Sequence, residues 1–270
     1  MHSRSRIEWG NIWSLLAVHF TAVGTHNNQS LAMYAIDSLK QLSIKFLQKE
    51  ELSNFNFQRI FLKPFEVIIA KTSSIEIQDL VLHCIETMIL QCAGNIRSGW
   101  RSIFAIFEMC ANHASLEVAA MALRMIERLM ETRFDIIFQD FVEVVNCFVV
   151  FSASAHTKLS LRALKHLNFC ADKLAAGENN EVLPKNMPAL LGEDATVFRM
   201  WWPLILGLAT RVSDPRLEVR LRAFNTLSDI LKNYGKRCST QAWKMLFKGI
   251  LFPMMDSAKT DQSGRNFSQY

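Results

Sequence analysis

The sequence contains little of the turn chemistry that punctuates a β-protein. Only 10 glycines and 6 prolines occur in 270 residues, of which 50% are hydrophobic. Apolar residues recur at spacings of three and four, as one face of a helix requires, and no strand-like alternation intervenes. The clearest such series is Leu31, Ala35, Leu39, Leu42 and Phe46. These features predict an all-α protein with enough apolar material for an extended core.

The sequence also lacks segments that would carry it into or across a membrane. Its first residues, MHSRSRIEW, contain no apolar core of a signal peptide, and the apolar run at 200–209 is too short to span a bilayer. The 6 cysteines form no CxxC pair and mostly fall within apolar helical faces, where a free thiol behaves as a small hydrophobic group. A reducing compartment is therefore expected.

Signatures of catalysis and of metal or phosphate binding are missing as well. There is no glycine-rich phosphate loop, no GxSxG elbow and no HExxH pair. His83 and Cys84 are adjacent, so their side chains diverge on a helix. His19 and His26 have no carboxylate that would complete a ligand set. We expect no catalytic residue, no metal and no cofactor in this chain.

Five short motifs repeat along the chain, each with a small residue, a large neighbour and an apolar residue three positions further on. They are Ala35-Ile36-x-x-Leu39, Cys84-Ile85-x-x-Met88, Ala122-Leu123-x-x-Ile126, Ala163-Leu164-x-x-Leu167 and Ala223-Phe224-x-x-Leu227. The small residue lets a paired helix approach closely, and the large residue fills the groove beside it. The repeat predicts a HEAT- or armadillo-like α-solenoid of about five helix pairs.

Breaks in this pattern divide the chain into four parts. Residues 1–176 are predicted to form helical repeats, and residues 197–256 a further C-terminal set. Between them, 177–196 contains Gly, Asn and two Pro residues that interrupt any helix, so we expect an exposed loop. The polar residues 257–270 are expected to form a tail.

Two stretches place polar residues at fixed positions and are candidate partner surfaces. The first is an aromatic-rich connector leading to a helix predicted to begin at Phe61; its candidates are Asn54, Gln58, Arg59 and Glu66. The second is NIRSGW at 95–100, with candidates Asn95, Arg97 and Ser98. Backbone N–H groups at this helix start are expected to be free to bind an acidic group. Packed phenylalanines and helix capping remain open as purely structural explanations.

Charge is unevenly distributed along the chain, whose net charge is +5. Residues 199–270 hold 12 basic and 5 acidic side chains, whereas 73–198 hold 10 and 15. Such a basic end could meet anionic lipid headgroups or an acidic protein surface. The candidate contacts are Arg211, Arg216, Arg220 and Arg222, which could equally be ordinary solvated helix charges. Nucleic acid is not expected as a partner, because no RNP-like, zinc-finger or basic-helix signature accompanies the charge.

Several segments carry a family resemblance. YAIDSLKQLSIKFLQKEELSNFNFQRIFLKPFE at 34–66 and NIRSGWRSIF at 95–104 resemble the region downstream of the catalytic domain in the large brefeldin A-inhibited guanine-nucleotide-exchange factors for Arf GTPases. WWPLILGL near 201 and VRLRAFNTLSDILKNYG at 219–235 resemble it more weakly. No segment resembles that family's catalytic FNxKPKKG-type loop with its glutamate finger.

The resemblance implies a regulatory and scaffolding helical-repeat region that is not itself an enzyme. It further implies a cytoplasmic protein, peripheral on Golgi or trans-Golgi membranes, that supports recruitment and regulation of Arf activation in vesicle transport. The implied partners are a small GTPase of the Arf or Rab type, the remainder of the parent exchange factor and the membrane surface. Two alternatives remain open: a HEAT-like adaptor unrelated to Arf, and an enzyme whose site the sequence does not reveal.

Overall fold

The computed structural model describes residues 6–51, 56–176 and 195–256, and this part of the chain is helical with no strand. Its α-helices are α1 Arg6–Gly24, α2 Gln29–Leu47, α3 Phe57–Lys71, α4 Ile75–Cys92, α5 Gly99–Cys110, α6 Leu116–Thr132, α7 Phe134–Ile137, α8 Phe141–Ser152, α9 Thr157–Ala175, α10 Ala195–Arg211, α11 Leu217–Tyr234 and α12 Thr240–Leu246. The all-α prediction is confirmed. The predicted loop and tail lie outside the described residues, except that residues 195 and 196 begin α10.

Three helix pairs in two layers make up the first compact unit, Met1–Asp140. The first helices of the pairs, α1, α3 and α5, pack side by side in one layer. The second helices, α2, α4 and α6, pack side by side in the other, and each contacts the first helix of its own pair. This stacking of neighbouring pairs is the architecture of an α-solenoid.

The second unit, Phe141–Tyr270, repeats this arrangement with two pairs, α8 with α9 and α10 with α11. Within it, α8 packs against α10 and α9 against α11. After α12 the helix continues through a π-helical turn, Phe247–Leu251, which packs against α10. The described residues therefore contain the five helix pairs that the repeat predicts.

Local sequence explains where the second helices of the first unit begin. The side chains of Asn28, Ser74 and Ser115 accept hydrogen bonds from backbone N–H groups in the first turns of α2, α4 and α6. Such capping satisfies donors that have no partner inside the helix. One predicted start is wrong: α3 begins at Phe57 rather than at Phe61, so the connector supplies the first turn of this helix.

The buried faces of the helices agree closely with the repeat motifs. They agree less well with the apolar series predicted from Leu31 to Phe46. In α2 the buried residues are Ala32, Ala35, Ile36, Leu39, Ser43 and Leu47. The predicted face is therefore wrong at Leu31, which is 49% exposed, and its true centre lies about one residue further along the chain. The large residue of each of the first four motifs is fully buried, whereas Phe224 of the fifth is 48% exposed.

Close packing in the second unit depends on the absence of a side chain at Gly207 of α10. A Cβ atom there would lie 2.3 Å from Cγ2 and 3.0 Å from Cγ1 of Val149 on α8. We expect Gly207→Ala to lower the free energy of unfolding by about 1–3 kcal/mol in urea denaturation, because overpacking displaces one of the two helices. Gly10→Ala is the control, since nothing lies within 4 Å of its Cβ and alanine favours the helix. Unchanged stability of the Gly207 variant would contradict the tight α8–α10 crossing.

Candidate functional site

The two predicted partner-surface stretches meet where α3 and α5 begin, at one corner of the first unit. The backbone N–H of Arg59 donates to Ser98 Oγ over 3.2 Å, and Ser102 Oγ donates to the carbonyl of Arg59 over 3.3 Å. Glu51 also binds to both stretches. We call this cluster the Glu51 corner; it consists of Glu51, Gln58, Arg59, Asn95, Arg97 and Ser98.

The carboxylate of Glu51 caps both helices at once. Its Oε1 accepts from the backbone N–H of Gln58 at 2.8 Å and from Ser98 Oγ at 2.7 Å. Its Oε2 accepts from the backbone N–H of Ser98 at 2.9 Å. Hydrogen bonds from helix-start N–H groups to a carboxylate are charge-assisted and favoured by the helix dipole. Glu51 therefore fixes the starts of α3 and α5 relative to each other.

Gln58 also stabilises this corner through hydrogen bonds. Its side chain is buried, with 4% of the residue exposed. Its Nε2 donates to the carbonyl of Asn95 over 2.8 Å, and its Oε1 accepts from the backbone N–H of Arg97 at 2.7 Å and of Gly99 at 3.4 Å. Both ends of the amide are thus used inside the protein. Gln58 holds the corner together and does not face a partner.

This geometry corrects the expectation of free N–H groups at the start of α5. The N–H groups of Arg97, Ser98 and Gly99 already bind Gln58 and Glu51, so the acidic group at this helix start is the chain's own. What remains accessible are the side chains of Arg59 and Arg97, both of which are exposed. The corner thus presents two cationic side chains on a backbone fixed by hydrogen bonds.

The other candidates in the first unit are placed differently. Asn54 lies outside the described residues. Glu66 is buried two turns along α3, where it pairs with the exposed Lys63. Asn95 and Ser98 are half-buried, and Asn95 Nδ2 donates to the carbonyl of Gln48 over 3.3 Å. Glu51 itself was not predicted, because a carboxylate beside another glutamate in a polar stretch carries no local sign of a capping role.

Three of the four candidate arginines in the second unit are engaged around a buried carboxylate, Asp214. Arg216 binds it with two nitrogens, Nε to Oδ1 at 2.8 Å and NH2 to Oδ2 at 2.9 Å, and Arg211 NH1 lies 3.6 Å from Oδ2. Arg220 NH1 donates to the Asp214 and Pro215 carbonyls, at 2.9 and 3.1 Å. Because the hydrogen bond from Arg216 favours the charged form, the pKa of Asp214 lies below its ordinary value.

This arrangement ties the segment between α8 and α9 to the segment that precedes α11. NH1 of Arg216 also donates to the carbonyl of Ser154, 62 residues away, over 2.7 Å. Helix α11 begins at Leu217, and Asp214 Oδ1 accepts from the backbone N–H of Arg216 at 3.0 Å. Arg222 is the one of the four whose side chain is exposed, so the predicted lipid or acidic-surface contact rests mainly on it.

The described residues include several potential metal ligands and five buried cysteines. No group of three or more His, Cys, Asp or Glu residues within them is placed to hold a metal ion. Burial raises the pKa of the Cys84 and Cys110 thiols to about 12, which leaves them protonated and unreactive at neutral pH. None of the described helices combines the length and apolar character needed to cross a bilayer.

Comparison with known proteins matches two family models to this chain. Residues 45–128 match the Mon2/Sec7/BIG1-like HDS model, and residues 201–268 match the GBF1-like tetratrico peptide repeat region. The chain is 36% identical over 278 aligned residues to brefeldin A-inhibited guanine nucleotide-exchange protein 3 of Arabidopsis thaliana, a match that covers 96% of the chain. It is also 33% identical over 263 residues to the human protein 1 of that name, over 95% of the chain.

Over 95–96% of its own length, the chain is homologous to brefeldin A-inhibited guanine nucleotide-exchange proteins. The family resemblance of the sequence segments is thereby confirmed, and an adaptor unrelated to Arf exchange factors is disfavoured. The chain spans 16% of the length of the Arabidopsis relative and 14% of the human one. It therefore corresponds to one part of these exchange proteins, and the matched parts are an HDS region and a helical-repeat region.

The HDS match includes the candidate partner surface of the first unit. It begins at residue 45 and ends at residue 128, so it includes the whole Glu51 corner and the helices from α3 to most of α6. The second match begins at Trp201, in α10, and includes Asp214 and the three arginines around it.

Proposed function

We propose that this chain is a regulatory and scaffolding region of a large Arf guanine-nucleotide-exchange factor, acting through recruitment or restraint rather than through exchange chemistry. The observation that carries the proposal is the HDS match over residues 45–128, together with 36% identity to an exchange protein over 96% of the chain. A solenoid of stacked helix pairs suits this role because it offers long surfaces for other proteins.

The Glu51 corner is the best-supported partner surface. Arg59 and Arg97 are exposed, and their backbone N–H groups donate to Ser98 Oγ and Gln58 Oε1, respectively. Because the backbone beneath them is fixed, little conformational freedom is lost there when the two guanidinium groups bind carboxylates. We propose an acidic patch on a small GTPase of the Arf or Rab type, or on the remainder of the parent factor, as the partner.

The second unit supports a weaker, electrostatic contact with membranes. Residues 199–270 carry 12 basic and 5 acidic side chains, and Arg222 is exposed. Each basic residue near an anionic membrane contributes about 1 kcal/mol at most, screened over roughly 10 Å at 0.1 M salt. Charge predicts only that such binding weakens as salt increases. The proposed location, cytoplasmic and peripheral on Golgi or trans-Golgi membranes, comes from the family resemblance.

An exchange assay on liposomes tests the proposal. The chain alone should not accelerate release of fluorescent GDP from an Arf GTPase, since we expect no residue in it that can be directed at the nucleotide phosphates. Joined to the exchange domain of the parent factor on anionic liposomes, it should change membrane recruitment or exchange rate. Exchange by the chain alone would overturn the non-enzymatic assignment, and no effect when joined would overturn the regulatory one.

Charge reversal locates the surface in the same assay. Arg59→Glu combined with Arg97→Glu should reduce recruitment while leaving the helical signal intact, because exposed substitutions change stability by about 0.5 kcal/mol or less. Arg124→Glu, on the exposed side of α6, is the matched control. If the double variant unfolds, or recruits as well as the control, the Glu51 corner is structural and not a partner surface.

A further inference from the structure

A small apolar hollow lies between the last turns of α4 and α6. Ile89, Leu90, Met125 and Leu129 form its apolar lining. Leu90 is 64% exposed, whereas the other three residues are buried. The hollow holds about 50 Å³, and since one water-sized group needs about 10–15 Å³, it has room for roughly four such groups. This is the size of one leucine side chain.

The residues that form this hollow on α4 are unusual among the second helices. Counted from the small residue of each motif, Ile89 and Leu90 correspond to Lys40 and Gln41 of α2. Both of these polar side chains donate to Asp37. The corresponding pairs in the other second helices are Glu127-Arg128, Asn168-Phe169 and Ser228-Asp229. Repeat packing therefore does not require two adjacent aliphatic residues here. A single exposed leucine is ordinary, but one that borders an unfilled hollow favours a binding site.

Two guanidinium groups border the hollow. NH1 of Arg128 lies 3.4 Å from Oε1 of Glu86, so this carboxylate is already engaged between α6 and α4. Arg133, which follows α6, is exposed and makes no ion pair within the part of the chain that the structure describes. Each guanidinium has several N–H donors, so both arginines retain donors for a further acceptor. The carbonyl ends of α4 and α6 oppose an anion there. A carboxylate would therefore orient a ligand, while the apolar contact would supply most of the affinity.

We propose that this hollow binds a short acidic segment of a partner protein, with one large aliphatic side chain inserted beside Leu90 and a neighbouring carboxylate on Arg133. The site is separate from the Glu51 corner and goes beyond the proposed function. An apolar side chain in a fitted pocket usually dominates such interfaces, and charges around it select the partner. The acyl chain of a lipid is much longer than the hollow and fits it less well.

Binding of designed peptides to the 270-residue chain tests the proposal, measured by fluorescence anisotropy. The probe is a short fluorescein-labelled peptide with aspartates around one central leucine. Two matched peptides carry alanine in place of the leucine, or lysines in place of the aspartates. The leucine peptide should bind at least about tenfold more tightly than either, because the buried leucine side chain contributes that factor or more to binding. Equal binding of the leucine peptide and either matched peptide would overturn the proposal.

Matched variants locate the bound peptide. Leu90→Gln, which places at α4 the residue found at the equivalent position of α2, should weaken binding about tenfold. Arg133→Glu should weaken it about threefold, as expected for an exposed ion pair. Leu116→Gln, at an exposed leucine that begins α6, is the control and should bind normally. All three should melt within about 2 °C of the original chain, because the replaced side chains are exposed.

Several outcomes with these variants would overturn the proposal. Unchanged binding by Leu90→Gln is one, and if that variant does not fold, unchanged binding by Arg133→Glu decides. Binding lost in the double variant Arg59→Glu with Arg97→Glu would place the peptide at the Glu51 corner instead. A dimer in sedimentation equilibrium that Leu90→Gln dissociates would assign the hollow to a second copy of the chain. Binding to phosphatidylserine vesicles that Leu90→Gln abolishes would assign it to a lipid.

Discussion

Replacing Gln58 by leucine is expected to lower the free energy of unfolding of the first unit by about 3 kcal/mol, although leucine nearly preserves the volume and the site is buried. The carbonyl of Asn95 and the backbone N–H of Arg97, in partly buried hydrogen bonds of 2.8 and 2.7 Å, would each lose the Gln58 amide as a partner. An unpaired buried polar group costs about 1–3 kcal/mol, and two are created at once. The starts of α3 and α5 would separate first.

Urea denaturation followed by tryptophan fluorescence measures this change, because Trp13 and Trp100 are buried in the same unit. Gln91→Leu is the matched control: the same substitution at an exposed position of α4 should change stability by about 0.5 kcal/mol or less. Gln58→Glu separates the two ends of the amide, since a carboxylate can still accept from the N–H of Arg97 but can no longer donate to Asn95. Equal stability of Gln58→Leu and the control would show that the corner does not hold α3 and α5 together.

The repeat motif predicted the buried residues well because every helix pair has the same packing requirement. A second helix must present a small and a large residue to its neighbours, so Ala163 and Leu164 are as fully buried as the motif predicts. A single apolar series is less reliable. Helix α2 contacts α1, α3 and α4, so its buried residues, from Ala32 to Leu47, cover a broad face of the helix. More than one series of apolar residues at helical spacing fits so broad a face.

The candidate site was only partly predictable, because its hydrogen bonds join residues distant in sequence. Ser98 and Glu51 are 47 residues apart, and Gln58 and the carbonyl of Asn95 are 37 apart. Polar residues near a helix start are equally compatible with capping, with a partner surface and with solvent exposure. Only the approach of α3 to α5 decides that Gln58 is buried while Arg59 and Arg97 remain exposed.

The same reasoning applies to the basic C-terminal quarter. Arg211, Arg216 and Arg220 have the spacing of solvated helix charges, and their sequence gives no sign of the buried carboxylate they surround. Asp214 is buried because its neighbour Arg216 can neutralise it while also bonding to Ser154 on another segment. Charge composition therefore predicted a basic region but not which arginines are available to a membrane.

Asp214→Asn is expected to lower the free energy of unfolding of the second unit by about 2 kcal/mol at pH 7, because the charge that holds Arg216 is removed while the shape is kept. The stabilisation by Asp214 is expected to decrease as the pH falls. The folded-state pKa of Asp214 lies below its value of about 3.9 in the unfolded chain, owing mainly to the hydrogen bond from Arg216. Its contribution is therefore fully present above about pH 5 and is lost progressively as the pH falls through the folded-state pKa.

Denaturation of both proteins between pH 7 and pH 2 measures this dependence, with unfolding followed by circular dichroism. The stability gap between the original chain and Asp214→Asn should stay constant down to about pH 5 and then shrink as the carboxylate of the original chain becomes protonated. Asp229→Asn, at an exposed position of α11, should leave stability within about 0.5 kcal/mol throughout. A gap that persists unchanged to pH 2 would mean that the asparagine disturbs the packing around Arg216, and that the charge of Asp214 contributes little to holding α11 against Ser154.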